Sequence, residues 1–486
     1  MSTYIGIDIG TSEVKTVIMD ESQTVLASAR ARLTVQRPHP GWSEQDPAQW
    51  WAAAEATLDA IAAQAPAAVA AADGIGLSGQ MHGATLLDAA DTPLRPCILW
   101  NDSRSAEECA ILTAKADFHG IAGNLVMPGF TAPKLAWVAR HEPEVFGRIA
   151  HVLLPKDYVR LRLTGEHASD MSDSAGTLWL DVAARRWSPQ LLAATGLEEA
   201  QMPRLVEGSA ASGHLRKPLA DRWGMARPPV VAGGGGDNAA SACGIGAVAP
   251  GQAFLSLGTS GVLFVATDRF RPNVAGAVHA FCHALPGSWH QMAVVLAATD
   301  SLNWLAQRLK SDAATLTAAL GDTLTGPAPV LFLPYLGGER TPHNDAHIRG
   351  ALIGLAHAAD DRVLTQAVLE GVAFAFRDGF DALRQAGSDV DSFTAVGGGA
   401  RSALWLRMLA TILDRPIEVP ANGDLGAAFG AARLGMAAAT GTDPHALCTR
   451  PTVARTLIPD TRHQAAYAGR LEQFRSLYPA LRGAQP

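Results

Sequence analysis

Residues 5–20 read IGIDIGTSEVKTVIMD, and residues 254–268 read FLSLGTSGVLFVATD. Laid together, Gly10, Thr11, Ser12, Val14, Val17 and Asp20 recur as Gly258, Thr259, Ser260, Val262, Val265 and Asp268, an offset of about half the 486-residue chain. Similarity at that spacing marks a duplicated unit. In the first copy Ile5, Ile7 and Ile9 alternate with Gly6, Asp8 and Gly10, the period-two pattern of a strand. VKTVIMD and VLFVATD, after the turns, are rich in β-branched residues, so a second strand follows each turn. The pattern predicts two related α/β halves, each opening with a β-hairpin, and a cleft between them. Neither a P-loop, which leads into a helix, nor a Rossmann G-x-G-x-x-G is present. A Gly-Thr-Ser turn still holds phosphate, through successive backbone N–H groups and two hydroxyls.

The two copies differ in charge. Asp8 aligns with Ser256 and Lys15 with Leu263, so only the first hairpin carries groups suited to a metal and a transferred phosphoryl. A buried, unpaired aspartate in a strand is costly, and Asp8 is therefore a candidate site residue. A weaker echo links 234–247, GGGDNAASACGIGA, with 422–435, NGDLGAAFGAARLG; in both, Gly-Asp opens a run of small residues.

The bulk numbers exclude several classes. Net charge is −7 and no dense Lys/Arg block occurs, so nothing favours nucleic acid or an anionic membrane as partner. The five cysteines are scattered without a CxxC pair, which fits free thiols in a reducing compartment. No basic n-region precedes the first strand, and no apolar run reaches membrane-spanning length. A cytoplasmic protein is expected.

Further pieces are readable one by one. In PPVVAGGGGDNAASACGIG (228–246), Asp237 follows a strand and four glycines and opens a helix. Two readings are open there: an N-cap, or a general base kept ionised by the helix N-terminus. TAVGGGARSALW (394–405) reads as strand, glycine turn and a helix from about Arg401, a turn flat enough for a ring to lie on or an ordinary α/β connection. GLSGQMHGATLLD (76–88) puts Met81 and His82 at a strand's C-terminal end, where α/β sites collect. ILWNDSRS (98–105) adds Trp100, Asn101, Asp102 and Arg104, suited to a polyol or to a plain turn. Asp46 and Pro47 mark a helix start. Tyr467, Leu471, Phe474 and Tyr478 mark a terminal helix before Pro479.

Taken in order, IGIDIGTSEVK, SGQMHG, ILWNDSR, the glycine run into GDNAA, LSLGTSG, FLPYLGGERTPH (332–343) and VGGGARS resemble the FGGY family of carbohydrate kinases, over about residues 3 to 480. The resemblance implies two actin-like (ribonuclease H-like) domains closing over sugar and ATP: residues 1–246 with sugar and base, and 247–486 with ATP and the terminal helix. It makes Asp237 the catalytic base and Asp8 the aspartate associated with Mg²⁺. Gly10, Thr11, Ser12 and Lys15 match the first phosphate loop, Gly258, Thr259 and Ser260 the second, and Gly398, Gly399 and Ala400 the adenosine loop. Met81 and His82 stand where glycerol-phosphorylating members carry Arg-Glu, which implies D-xylulose as acceptor. Asp237, Asn238, Trp100 and Asp102 are expected as further sugar contacts. Family analogy also implies a homodimer. One departure is the run Gly233–Gly236, with one glycine more than similar members carry; it is expected to shift the strand end slightly. An actin-like ATPase switch and a catalytically dead sugar sensor are the rival readings.

Overall fold

The computed structural model describes residues 2–421 and 426–483. Thr3–Ile9 pairs antiparallel with Glu13–Asp20, and Ala253–Leu257 with Gly261–Thr267, so both expected hairpins form. Each seeds a seven-stranded sheet. The first runs 25–32, 13–20, 3–9, 72–79, 230–232, 211–214, with the short strand 235–236 also beside 72–79, and the second runs 289–295, 261–267, 253–257, 393–396, 417–420, 453–457, with 279–282 outside 289–295. Read in that direction, successive pairs in both sheets are antiparallel, antiparallel, parallel, parallel and antiparallel. The repeat seen in one turn is a repeat of topology.

One alignment needs correcting. Ile9 pairs with Val14 across the first turn, but Leu257 pairs with Gly261 across the second, which is one residue shorter. Asp8 therefore faces Lys15, whereas Ser256 faces Val262. The position equivalent to Lys15 is Val262, not Leu263, because hairpin register counts turn residues and sequence similarity does not.

The halves interlock through two helices. Ala427–Thr440, from the second half, lies on the first sheet and buries the Gly6 face of its opening strand, which is therefore covered on both sides. A Cβ added at Gly6 would meet the Ala428 carbonyl oxygen at 1.8 Å, and one at Gly76 the Ala431 oxygen at 1.8 Å. Asp237–Ile245 packs behind that helix just as closely: a Cβ at Gly430 would stand 1.8 Å from the Ala240 oxygen. On its other side Ala242 and Ile245 share a core cluster with Phe254 and Phe264 of the second sheet. Sheet, helix, helix and sheet thus stack through glycine-lined backbone contacts. The echo of 234–247 in 422–435 corresponds to this helix pair, although 422–425 lie outside the described residues.

Asp46 caps Pro47–Gln64 as expected, accepting from the Ala48 N–H. The terminal helix spans Thr461–Arg482, continues through Pro479, and buries Tyr467, Leu471 and Phe474 in the second half's core. All five cysteines are free thiols. Among the described residues, no helix is long and apolar enough to cross a membrane.

The interlock predicts a contrast between two glycines. Gly6→Ala must force backbone apart and should cost at least the ~1–3 kcal/mol typical of overpacking. Gly398→Ala, where a Cβ meets nothing within 4 Å, should cost far less. Urea unfolding of both variants measures the difference.

Candidate active site

Asp8 is the penultimate residue of its strand, opposite Lys15 on one side and Ser78 on the other. Its Oδ1 is shielded from solvent and accepts no hydrogen bond. Burial and then the nearby Asp237 carboxylate push its pKa up to about 6, with Ser78 and Lys15 pulling the other way. Asp8 and Asp237 are therefore electrostatic neighbours at one end of the cleft.

Asp237 is the first residue of its helix, and Gly236 occupies the cap position, so the N-cap reading does not apply. Its Oδ1 accepts the Asn238 backbone N–H at 2.6 Å and the Asn238 Nδ2 at 2.8 Å. Burial raises its pKa, and the two bonds from Asn238 oppose that rise. A carboxylate held ionisable yet more basic than in water is suited to accepting a proton.

The fourth glycine has a specific use. Val231 pairs with Ile75 and Gly235 with Ser78, so four residues on one strand span three on its neighbour. The extra residue is absorbed as a bulge with Gly234 at φ +77°, where a Cβ would sit 2.1 Å from the Leu77 oxygen. Gly235 and Gly236 still pair with Ser78 and Gly79. Behind the run lies a fully buried ionic group. Lys156 Nζ reaches Asp157 Oδ1 at 2.7 Å, Asp170 Oδ1 at 2.8 Å and Asp173 Oδ2 at 3.1 Å. Arg160 pairs with Asp157 and donates to the Gly233 carbonyl. Ser172 donates to Asp170 and accepts the Gly236 N–H at 3.0 Å.

Both Gly-Thr-Ser turns are oriented from behind. The carbonyls of Gly10, Thr11 and Ser12 accept from Gln80 Nε2, Gln45 Nε2 and the Leu33 N–H. Those of Gly258 and Thr259 accept from the N–H groups of Thr299 and Ala298, at the start of the helix Thr299–Arg308. A trans peptide points its N–H opposite its C=O. The amides of Thr11 and Ser12, and of Thr259 and Ser260, thus turn away from those anchors, as a phosphate cradle requires. The Thr11 hydroxyl differs from expectation: it donates to Gln80 and accepts from Trp100 Nε1 at 3.0 Å, so it ties the turn to the neighbouring loops.

A cavity of about 290 Å³ opens between the halves, lined by Met81, His82, Trp100, Asp237 and Asn238 from the first and by Ser260 and Val262 from the second. Met81 packs against Gly236, where a Cβ would stand 2.9 Å from its sulfur. His82, at φ +69°, places Nδ1 2.6 Å from the Gly176 carbonyl oxygen, so that nitrogen carries the proton and Nε2 is an acceptor. Burial, reinforced by the Lys134 charge, pushes His82 down to about 3, and the ring is neutral. Lys134 itself is wholly buried, donating to the carbonyls of His82 and Gly129.

Asp102 is not at the cavity. It is buried, accepts the Ser43 N–H at 2.6 Å, and pairs with Arg104 at 2.7 Å. It shapes the Trp100 loop. Gly398, Gly399 and Ala400 also lie outside the cavity, in a single 3₁₀ turn after the strand Phe393–Val396; the following helix starts at Ala403, not Arg401. Gly397 and Gly399 pack on Leu257 beside the second turn, and Gly398 faces open space. Phe130, His279, Phe281 and Arg340 line the cavity unforeseen. The segment FLPYLGGERTPH was the one available signal for Arg340; nothing in local sequence marked the others.

Family models for the N- and C-terminal domains of the FGGY family of carbohydrate kinases match residues 3–244 and 253–439. The chain belongs to the FGGY family of carbohydrate kinases. A xylulose kinase from Escherichia coli strain K12 is 50% identical over 481 residues, 98% of this chain and 99% of that one. The crystal structure of a "xyloylose kinase" from Brucella ovis superposes with a TM-score of 0.98 at 58% identity, covering 99% of this chain and 100% of that one. That of xylulose kinase from Rhodospirillum rubrum gives 0.91 at 31% identity, covering 99% of each. The FGGY fold, two actin-like α/β domains, is thus the fold of this chain.

For an FGGY kinase with so raised an Asp8, ionising that carboxyl costs stability. The cost is absent below about pH 4, the unperturbed aspartate value, and complete above about pH 6. Asp8→Asn should make the unliganded protein more stable than wild type at pH 8 by about 1–3 kcal/mol, with no difference at pH 4. Urea unfolding at both pH values checks the sign; a wild type more stable at pH 8 contradicts it.

Proposed function

We propose that this kinase transfers the γ-phosphoryl group of ATP to D-xylulose, giving ADP and D-xylulose 5-phosphate. The observation that carries the reading is the cavity beside Asp237. It is near the low end of the ~300–1,000 Å³ typical of ligand pockets, so it takes a small sugar and leaves the nucleotide outside. Neutral His82 offers an acceptor to a sugar hydroxyl, Asn238 a polar edge, and Met81 and Trp100 apolar cover. The names of relatives matching nearly the whole chain support the same acceptor.

In this reading Asp237 accepts the proton of the 5-hydroxyl as its oxygen bonds to the γ-phosphorus and the bond to ADP breaks. The amides of Thr11 and Ser12, with those of Thr259 and Ser260, hold the phosphates between the turns. The loop Gly398–Ala400 takes the adenosine, next to the second turn. The orphaned Asp8 Oδ1, with Asp237 near, is an oxygen donor set that fits a hard cation. Among the described residues, the one set of three clustered ligating groups is elsewhere, at Asp91, His151 and His167. Asp8 would thus hold Mg²⁺ in company with nucleotide oxygens and water, and the ion supplies neutralisation of phosphate charge. Closure of 1–246 onto 247–486 excludes water from the transfer.

ADP release measured with D-xylulose, glycerol, D-gluconate and no sugar tests the proposal. D-xylulose should give the highest kcat/KM, with little release when sugar is omitted. Preference for another acceptor overturns the substrate, sugar-indifferent hydrolysis points to an ATPase switch, and tight xylulose binding without ADP points to a sensor.

A further inference from the structure

Among the described residues, Arg340 is the only lysine or arginine lining the cavity, and Asp237 the only carboxylate. Its backbone is clamped. The Arg340 N–H donates to Glu339 Oε1 at 2.8 Å, and the Leu296 N–H donates to the same oxygen at 2.9 Å. Next to it, the Thr341 N–H donates to the Val294 carbonyl at 3.1 Å, and Thr341 Oγ1 accepts the Val294 N–H at 3.0 Å. The segment is thereby stitched to the end of the strand Trp289–Val295 in the second half, with Arg340 at the cavity wall.

The guanidinium itself has nothing to hold. Among the described residues it makes no hydrogen bond or ion pair, although burial disfavours its charge. The adjacent Glu339 attracts it but makes no bond to it. That carboxylate spends Oε1 on two backbone amides, leaves Oε2 buried without a partner, and is pushed by burial up to about 8. The imidazoles facing the same space, His82 and His279, are kept neutral by burial, with the Arg340 charge adding to the effect. The other cations close by are committed: Lys134 to two carbonyls, and Arg104 to Asp102 and Glu44.

A partly desolvated, unpaired arginine is costly unless an anion arrives. Its planar fork of N–H groups fits two oxygens of one phosphoryl group. On the reading above, the sugar is neutral, so the only anionic groups that enter this space are the phosphoryl in transfer and the phosphate of the product. Ser260, at the edge of the second phosphate turn, and Asp237, the base, both line the cavity with Arg340. The guanidinium therefore faces the path the phosphoryl group takes from nucleotide to sugar.

We propose that Arg340 grips the phosphoryl group during transfer, and holds the phosphate of the sugar-phosphate product, while contributing little to binding of the unphosphorylated sugar. It donates hydrogen bonds only and exchanges no proton. This rests on the cavity being the acceptor site of a sugar kinase.

The test uses Arg340→Ala and Arg340→Lys in the full-length protein, with the acceptor preferred by wild type. Removing a donor to transition-state charge typically costs about 10²–10³ in kcat. Arg340→Ala should lose about that much, while its Kd for the sugar, by calorimetry, changes less than about threefold, a small fraction of that loss. Inhibition by the sugar-phosphate product should weaken by about tenfold or more, as for a lost charge-assisted contact. Added guanidinium ion should restore part of kcat in Arg340→Ala, which a folding defect would not allow; Arg340→Lys should retain only part of kcat, since an ammonium lacks the fork. An unchanged kcat overturns the proposal. So does a sugar Kd that rises in step with the loss of kcat, which would assign Arg340 to the sugar hydroxyls. Wild type that prefers an acceptor other than D-xylulose sinks the substrate reading alone, because the variants are read on that acceptor by the same criteria.

Discussion

Lys156 has no exposed surface, and it holds Asp157, Asp170 and Asp173 against one another inside the first half. With Arg160 the group has two cations and three carboxylates, each costing several kcal/mol to take out of water. Burial pushes the Asp173 carboxyl well up, against the pull of the Lys156 charge. The group's placement explains its presence. Gly233–Gly236 has no side chains with which to anchor itself, so its path is set by what its backbone meets. Arg160 takes the Gly233 carbonyl and Ser172 the Gly236 amide. The position of Asp237 depends on those contacts.

Around that anchor the cleft is built from backbone at close range. The helix Ala427–Thr440 lies on Gly6, Gly74 and Gly76, and the helix beginning at Asp237 lies on Gly430. Asp8 stands one residue before the end of the strand that contains Gly6, and Asp237 opens the second helix. Two carboxylates from distant parts of the chain are thus fixed relative to each other by contacts that tolerate no side chain. Asp8 is raised by burial and by Asp237, the signature of two acids sharing a poorly solvated space. A cation or a proton relieves that strain, and in the proposed reaction a nucleotide bound with Mg²⁺ would bring the former.

The duplicated turn was legible because Gly-Thr-Ser is a backbone device, and residues chosen for backbone conformation survive duplication visibly. Asp8, Asp237, Met81 and His82 could be picked out as candidates because each stands near the end of a strand or at the start of a helix. Asp102 misled: a polar residue beside a tryptophan reads as a sugar contact, but its partner Arg104 is two residues away and the pair closes on itself. Lys15 was set against Leu263 where the structure sets it against Val262, since a one-residue difference in turn length is invisible to similarity. Arg340, His279 and Phe281 come from the second half, and only tertiary packing brings them to a cavity whose other wall is Met81 and His82. No spacing along the chain encodes that crossing.

The account stands on Asp237 being a base positioned by the protein and not a sugar-binding group. The most direct measurement is Asp237→Asn, comparing kcat with calorimetric binding of D-xylulose. Asparagine keeps the size and the acceptor oxygen but cannot take the proton. Loss of a general base lowers kcat by about 10²–10⁴, and D-xylulose binding should survive with little change. A variant that keeps most of its kcat, or one that loses sugar binding in proportion, contradicts the account.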